Sequence, residues 1–151
     1  MSYATIEAQV QTLIRGLDDY ADADVTRGDH RVLDSGGAPY AVLRPGPFTN
    51  EFKTPTRRQR TWTVLIEVYE KHVGDGSEST NLSGRRQNLV ELFDKYPTLN
   101  SLSADVTGAY ITGGDDPFSL YDEDGGGPYF LAQVLRLEVK EQHTVTGGEY
   151  A

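Results

Sequence analysis

The sequence predicts an α+β domain: an antiparallel sheet of about four to five strands of mixed length, with two helices packed on one face. Three observations predict it. Two segments repeat apolar residues at helical spacing. Several others alternate apolar and polar residues between glycine- and proline-marked turns. The order is helix, two or three strands, helix, two strands, and tight turns between strands favour antiparallel pairing.

The first helix lies in "ATIEAQVQTLIRGLDDY". Ile6, Val10, Leu13, Ile14 and Leu17 fall at i, i+4, i+7, i+8 and i+11 and form one apolar stripe. Ser2 or Thr5 is placed to cap it. Asp18 and Asp19 oppose the macrodipole at a helix C-terminus, so the helix is expected to end near Leu17. From residue 21 to 47 the pattern is short strands and turns. "HRVLD" and "PYAVLRPG" flank "SGGA" at 35–38, which reads as a hairpin turn, and Pro45-Gly46-Pro47 is expected to stop the second strand. Residues 48–60, "FTNEFKTPTRRQR", have no clear period and read as a long loop or flexible arm.

"TWTVLIEVYEKHV" is the strongest strand of the first half. Trp62, Val64, Ile66 and Val68 share one face, and Thr61, Thr63, Leu65, Glu67 and Tyr69 share the other. "GDGSEST", 74–80, reads as a flexible connector. The second helix is "NLSGRRQNLVELFDKYP", with Leu89, Leu92, Phe93 and Tyr96 at helical spacing and Pro97 ending it. "SADVTGAYITGG" reads as a strand with a bulge or bend at Gly108. An acidic loop over 113–128 follows, and then the final strand over 129–141. On that strand Leu131, Leu135, Leu137 and Val139 share one face, while Arg136, Glu138 and Lys140 share the other. The tail, 143–151, is expected to fray. All 151 residues read as one domain.

A chain of this length buries about 70% of its unfolded surface. An apolar fraction of 37% is low for a self-contained globule, which points to a small core and much partner-facing surface. The net charge of −9 argues against a nucleic-acid binder and against attraction to anionic membranes. The absence of cysteine excludes disulfides, thiolate metal sites and cysteine nucleophiles. The start, "MSYATIEAQV", reads as no signal peptide, and the longest aliphatic run, "VLI", spans no membrane.

Catalytic signatures are missing. His30, His72 and His143 each stand alone among polar residues and read as surface histidines. There is no Gly-x-Ser-x-Gly elbow, and the glycine runs precede strands rather than helices, so no helix N-terminus is placed to hold phosphate. "DEDGGG" offers Asp122 and Asp124 with a glycine-rich turn, which hints at calcium. In a calcium loop opened at Asp122, ligand positions 5 and 12 fall on Gly126 and Gln133, and a strand follows where a helix is required. The ligand count therefore favours a solvated or partner-facing loop, with no metal and no cofactor. Asn81-Leu82-Ser83 matches a glycosylation sequon by chance, given no secretion signal.

Candidate partner-facing residues remain. Arg57, Arg58 and Arg60 form the one basic cluster. As interface groups they are expected to be replaceable without loss of folding stability. Asp115, Asp116, Asp122, Glu123 and Asp124 form the acidic counterpart, which a neighbouring copy can offer to the arginines.

"IEAQVQTLIRGL", then "TWTVLIEVYEKH", "LSGRRQNLVELFDKYPTL", "AYITGGDDP" and "GGGPYFLAQVLRLEVKE" follow one another in this order. The pattern resembles the tail terminator (tail completion, minor tail) proteins of long-tailed bacteriophages over nearly the whole chain. The resemblance implies a structural virion protein and no enzyme. It implies a homohexameric ring that caps the head-proximal end of the tail tube, with the tube protein and the neck, head connector or stopper protein as partners. It also implies DNA passing through the lumen without specific binding. Head–tail adaptor and stopper proteins are of similar size and are the alternative; a small metal-dependent enzyme using the acidic loop is a weaker one.

Overall fold

A computed structural model describes residues 1–28, 39–72, 76–121 and 128–145, with backbone alone at 128 and 129. The elements are α1 (Tyr3–Arg15), a single 3-10 turn (Asp22–Asp24), β1 (Val25–Arg27), β2 (Tyr40–Thr54), β3 (Arg57–Lys71), α2 (Ser77–Lys95), β4 (Val106–Gly114), β5 (Phe118–Tyr121) and β6 (Pro128–Thr144). They form one six-stranded sheet in the order β1-β2-β3-β6-β4. β5 lies beside the N-terminal half of β6 and β4 beside its C-terminal half, so the two short strands make one interrupted edge. Only β1 and β2 pair in parallel among the described strands.

The fold is α+β, as the sequence pattern predicts. The apolar stripe of α1 and that of α2 meet the same sheet face. Ile6, Val10 and Ile14 join Leu82, Leu89 and Phe93 over Leu43, Val64, Ile66, Leu135, Leu137 and Val139. These strand residues alternate, so the other face carries a different set. Tyr40, Val42, Tyr69, Phe130 and Ala132 form a second, smaller cluster there. Ser2 caps α1 by accepting the Thr5 N–H at 3.3 Å. The helix stops at Arg15, just short of the expected Leu17, and leaves Asp18 and Asp19 outside it. The bulge expected at Gly108 is present as a register shift between Val106 and Gly108.

Several boundaries differ from the sequence reading. The sheet has six strands because β1 and β5 have only three and four residues, too few to show a period. β5 occupies part of the expected loop at 113–128. Pro45-Gly46-Pro47 does not stop β2. Three residues from Pro45 to Phe48 span two residues of β3, Val64 to Trp62, so a bulge absorbs the prolines. β1 pairs only with Ala41–Leu43, so the prolines sit where β2 is an edge and their missing N–H groups cost nothing. Gly46 is needed for closeness: a Cβ there would lie 2.9 Å from Thr63 Cγ2.

Residues 48–60 are not a loop. They are the distal half of the β2–β3 hairpin, turning at Pro55-Thr56, and the pattern is hidden because much of this half is exposed. The connector expected at 74–80 ends early, since Ser77–Lys95 is helical from its first polar turn. Glu78 in that turn favours the positive end of the helix dipole. β6 runs on to Thr144, and the Val145 N–H donates to Thr56 O at 2.8 Å, so 143–145 are held rather than frayed. The expected strand and turn at 30–38, His30, Asp122, Glu123, Asp124 and the tail from 146 lie outside the described residues.

Two glycines of β4 give a test of this edge. A Cβ on Gly114 would lie 2.7 Å from Leu135 Cδ2 and 3.1 Å from Val134 O, whereas one on Gly108 meets nothing within 4 Å. Gly114→Ala is expected to lower stability by about 1–3 kcal/mol through overpacking. Gly108→Ala is expected to stay within about 0.5 kcal/mol. Urea unfolding of the two variants measures both.

Candidate assembly surfaces

Strand length creates the first surface. At about 3.4 Å per residue, the fifteen residues of β3 span roughly 50 Å. The nineteen residues of α2 span roughly 28 Å. The helices therefore leave part of the hairpin uncovered. Phe48 is 51% exposed and Phe52 64% exposed, an unusual state for two phenylalanines in a strand. Register pairs Phe48 with Trp62, Asn50 with Arg60, and Phe52 with Arg58, so these six side chains share one face. The Phe48 and Trp62 rings are 4.6 Å apart, and the Arg58 guanidinium lies 4.8 Å from the Phe52 ring centroid.

The three arginines have different surroundings. Arg57 is exposed beside the hairpin turn. Arg58 Nη1 donates to the Thr54 carbonyl at 2.9 Å and steadies the turn. Arg60 points to the interior: its guanidinium is 3.6 Å from the carboxylate of Glu141, which is only 1% exposed. Neither Glu141 oxygen accepts a hydrogen bond among the described residues, so Arg60 is its sole charge partner there. This corrects the expectation that the cluster acts only outward. The sequence reading placed Arg60 in a loop; its matching acid lies eighty-one residues away on β6, and only the register joins them.

The second surface is the β4–β5 edge. Asp115 and Asp116 occupy its interruption, both exposed. Asp115 is tied into the sheet, with its N–H donating to Val134 O at 2.9 Å and its carbonyl accepting from Gln133 Nε2 at 2.8 Å. Its carboxylate accepts from Arg136 Nη1 at 2.8 Å, an exposed pair worth under about 1 kcal/mol. Asp115 and Asp116 lie near mid-sheet, and Arg57 and Arg58 lie at the hairpin end. Sequence reasoning missed Phe48, Phe52, Arg136 and Glu141. Two phenylalanines four apart in a polar run were the available signal for the first pair.

Among the described residues no three His, Asp or Glu side chains converge to hold a metal ion. Burial pushes the phenols of Tyr3, Tyr20 and Tyr69 well above their usual range, and hydrogen bonds to Glu7 and Glu67 push Tyr3 and Tyr69 further. All three stay neutral at any ordinary pH, and Tyr3 and Tyr69 donate to those glutamates. Burial lowers the Arg85 pKa, but its bond to Glu70 and the negative charges of Glu70 and Asp19 outweigh that, leaving it raised. His72 is not alone, since its Nδ1 lies 2.9 Å from Glu78 at the start of α2. His143 is half-buried opposite Arg58. No helix among the described residues is long and apolar enough to cross a membrane.

The arginines can be told apart by stability. Arg60→Gln leaves Glu141 buried without its cation and is expected to cost about 3 kcal/mol. Arg57→Gln removes an exposed charge and Arg58→Gln a half-buried one, and each is expected to cost less than about 1 kcal/mol. Denaturant midpoints of the three single variants decide it.

No protein-family model matches the chain, and no curated protein matches it in sequence. Among solved structures it is similar to a chain described as "Virion of native gene transfer agent (GTA) particle". That match has a TM-score of 0.56 at 14% identity and covers 92% of this chain and 99% of the other, so the two share a fold over nearly their full lengths.

Proposed function

We propose that this chain is a structural virion protein that caps the head-proximal end of a phage tail tube as a homohexameric ring. In that place it stops tube polymerisation and offers the surface that joins the neck or head connector. The observation that carries an assembly role is the hairpin that β2 and β3 extend past the helices, with Phe48 and Phe52 exposed above a basic turn. A monomer gains nothing from displaying two such rings to water, whereas a neighbour that covers them does. The resemblance to tail terminators names the kind of assembly. The fold neighbour, a chain of a gene transfer agent virion, supports a phage-like structural protein.

A tube subunit offers two complementary faces, so each ring templates the next and stacking has no natural stop. A terminator keeps the face that fits the tube and replaces the other. The basic hairpin and the acidic residues Asp115, Asp116, Asp122, Glu123 and Asp124 are opposite in charge and separate in the chain, which suits two different neighbours. Capping is then steric and electrostatic, with no bond made or broken, no cofactor, and no membrane. DNA crosses the lumen without specific binding, because a chain of net charge −9 releases few counterions from phosphate. The chain is made in the host cytoplasm and ends in the virion.

Cryo-electron microscopy of intact particles tests the placement. Six copies in a ring at the head-proximal end of the tail are expected. Five or seven copies, or a site away from the tail end, contradict the proposal, and a ring one layer nearer the head assigns the chain to the adaptor or stopper class. A variant with Asp122, Glu123 and Asp124 all changed to Ser is expected to impair either tube capping or head joining, but not both. If in vitro joining assays find both intact, the acidic loop meets no partner.

A further inference from the structure

A second exposed apolar feature lies in the helical layer. Between the C-terminal halves of α1 and α2 runs a groove of about 350 Å³. Leu13, Leu17, Leu92 and Tyr96 supply its apolar lining, and Thr12 and Glu91 stand on its walls. Glu91 and Asp94 are exposed along α2, and Asp18 and Asp19 close the end of α1. The hairpin has the opposite character. Residues 48–60 hold four cations and one acid, in a chain whose net charge is −9, so everything outside the hairpin is net acidic.

We infer that the hairpin of one copy seats the face bearing Phe48 and Phe52 in the α1–α2 groove of a second copy, with Arg57 and Arg58 beside Glu91 and Asp94. The occupant follows from complementarity in both shape and charge. The groove is apolar at its floor; its walls carry Glu91 and one cation, Lys95, which lies 5.4 Å from the Tyr96 ring centroid, and Asp94 is exposed on the same helix. The hairpin is aromatic on one face and basic at its turn. The two features lie at different places on the chain, so the contact is head-to-tail and each copy uses both halves. Such a contact closes into a ring when the rotation between copies allows it, so the inference deepens the ring reading above and rests on it. It assigns the hairpin to the neighbouring subunit and leaves the β4–β5 edge and acidic residues to the tube or neck. Screened attraction between Arg58 and Glu91 makes the association fall with salt.

The chain has no cysteine, which makes the test clean. Asn50 lies between the two phenylalanines on their face, and Thr12 is exposed on the groove wall. The full-length double variant Asn50→Cys with Thr12→Cys, concentrated and oxidised with oxidised glutathione, is expected to give a ladder of disulfide-linked multimers. Either single variant supplies one thiol per chain, and in a head-to-tail contact two such thiols do not face each other, so each is expected to stay largely unlinked; a single variant that dimerises as fast as the double variant links overturns the inference. A double variant that stops at dimers overturns it too. Sedimentation gives a second reading: Phe52→Ser is expected to weaken self-association about 30-fold, and wild-type association by this variant overturns the inference as well. Glu91→Lys weakens it too, and Glu91→Lys with Arg58→Glu restores part of the loss. Failure of the ladder with a ring still seen in particles removes only this contact; absence of any ring in particles removes the assembly reading itself.

Discussion

β3 and β6 pair without a register shift through fifteen residues, from Arg57 opposite Thr144 to Lys71 opposite Phe130. Every other element takes its position from that ladder. β2 follows β3 through a two-residue turn, and β4 and β5 divide the free edge of β6 between them. Lower down, alternate residues of the two strands form the floor on which both helices rest. Higher up the same alternation continues with no helix above it. A strand pair longer than its helical cover has a buried half and an exposed half, and in this chain the two halves have different work.

In the covered half and at its border with the hairpin, charge is used to pin elements together. Three buried glutamates each face a cation from another segment: Glu7 of α1 with Arg27 of β1, Glu70 of β3 with Arg85 of α2, and Glu141 of β6 with Arg60 of β3; a fourth, Glu78 of α2, lies 2.9 Å from His72 Nδ1. Removing one partner of such a pair leaves a charge stranded in low dielectric, so these contacts fix geometry more than they add stability. Leu99, Asn100 and Ser101 all adopt left-handed backbone after α2, and the full burial of Leu99 holds that turn in place. The scaffold is therefore rigid under the surfaces proposed to meet neighbours.

Much of the buried half was legible in the sequence. The stripes of Ile6, Val10 and Ile14 and of Leu89, Leu92 and Phe93, and the alternation of Val64, Ile66 and Val68, arise because one side of each element is removed from water. The bulge at Gly108 and the stop at Pro97 rest on backbone rules that need no tertiary context. The hairpin was not legible, since strands exposed on much of their surface lose the apolar period that marks them. Pro45-Gly46-Pro47 misled for a related reason: proline excludes a central strand but not an edge with a bulge. The role of Arg60 was hidden because a salt bridge across eighty-one residues is a property of register. The arginine cluster was visible as charge, while its division into one inward and two outward-facing members was not.

The account holds that residues 48–60 are folded but unfinished until a neighbour covers them. Amide hydrogen exchange on the free chain and on assembled particles addresses this directly. The account predicts fast exchange at Thr49, Glu51, Gln59 and their neighbours in the free chain and strong protection in the particle, with Val64, Ile66 and Val68 protected in both. Equal protection of the hairpin in the free chain would contradict it, because the hairpin would then be complete on its own.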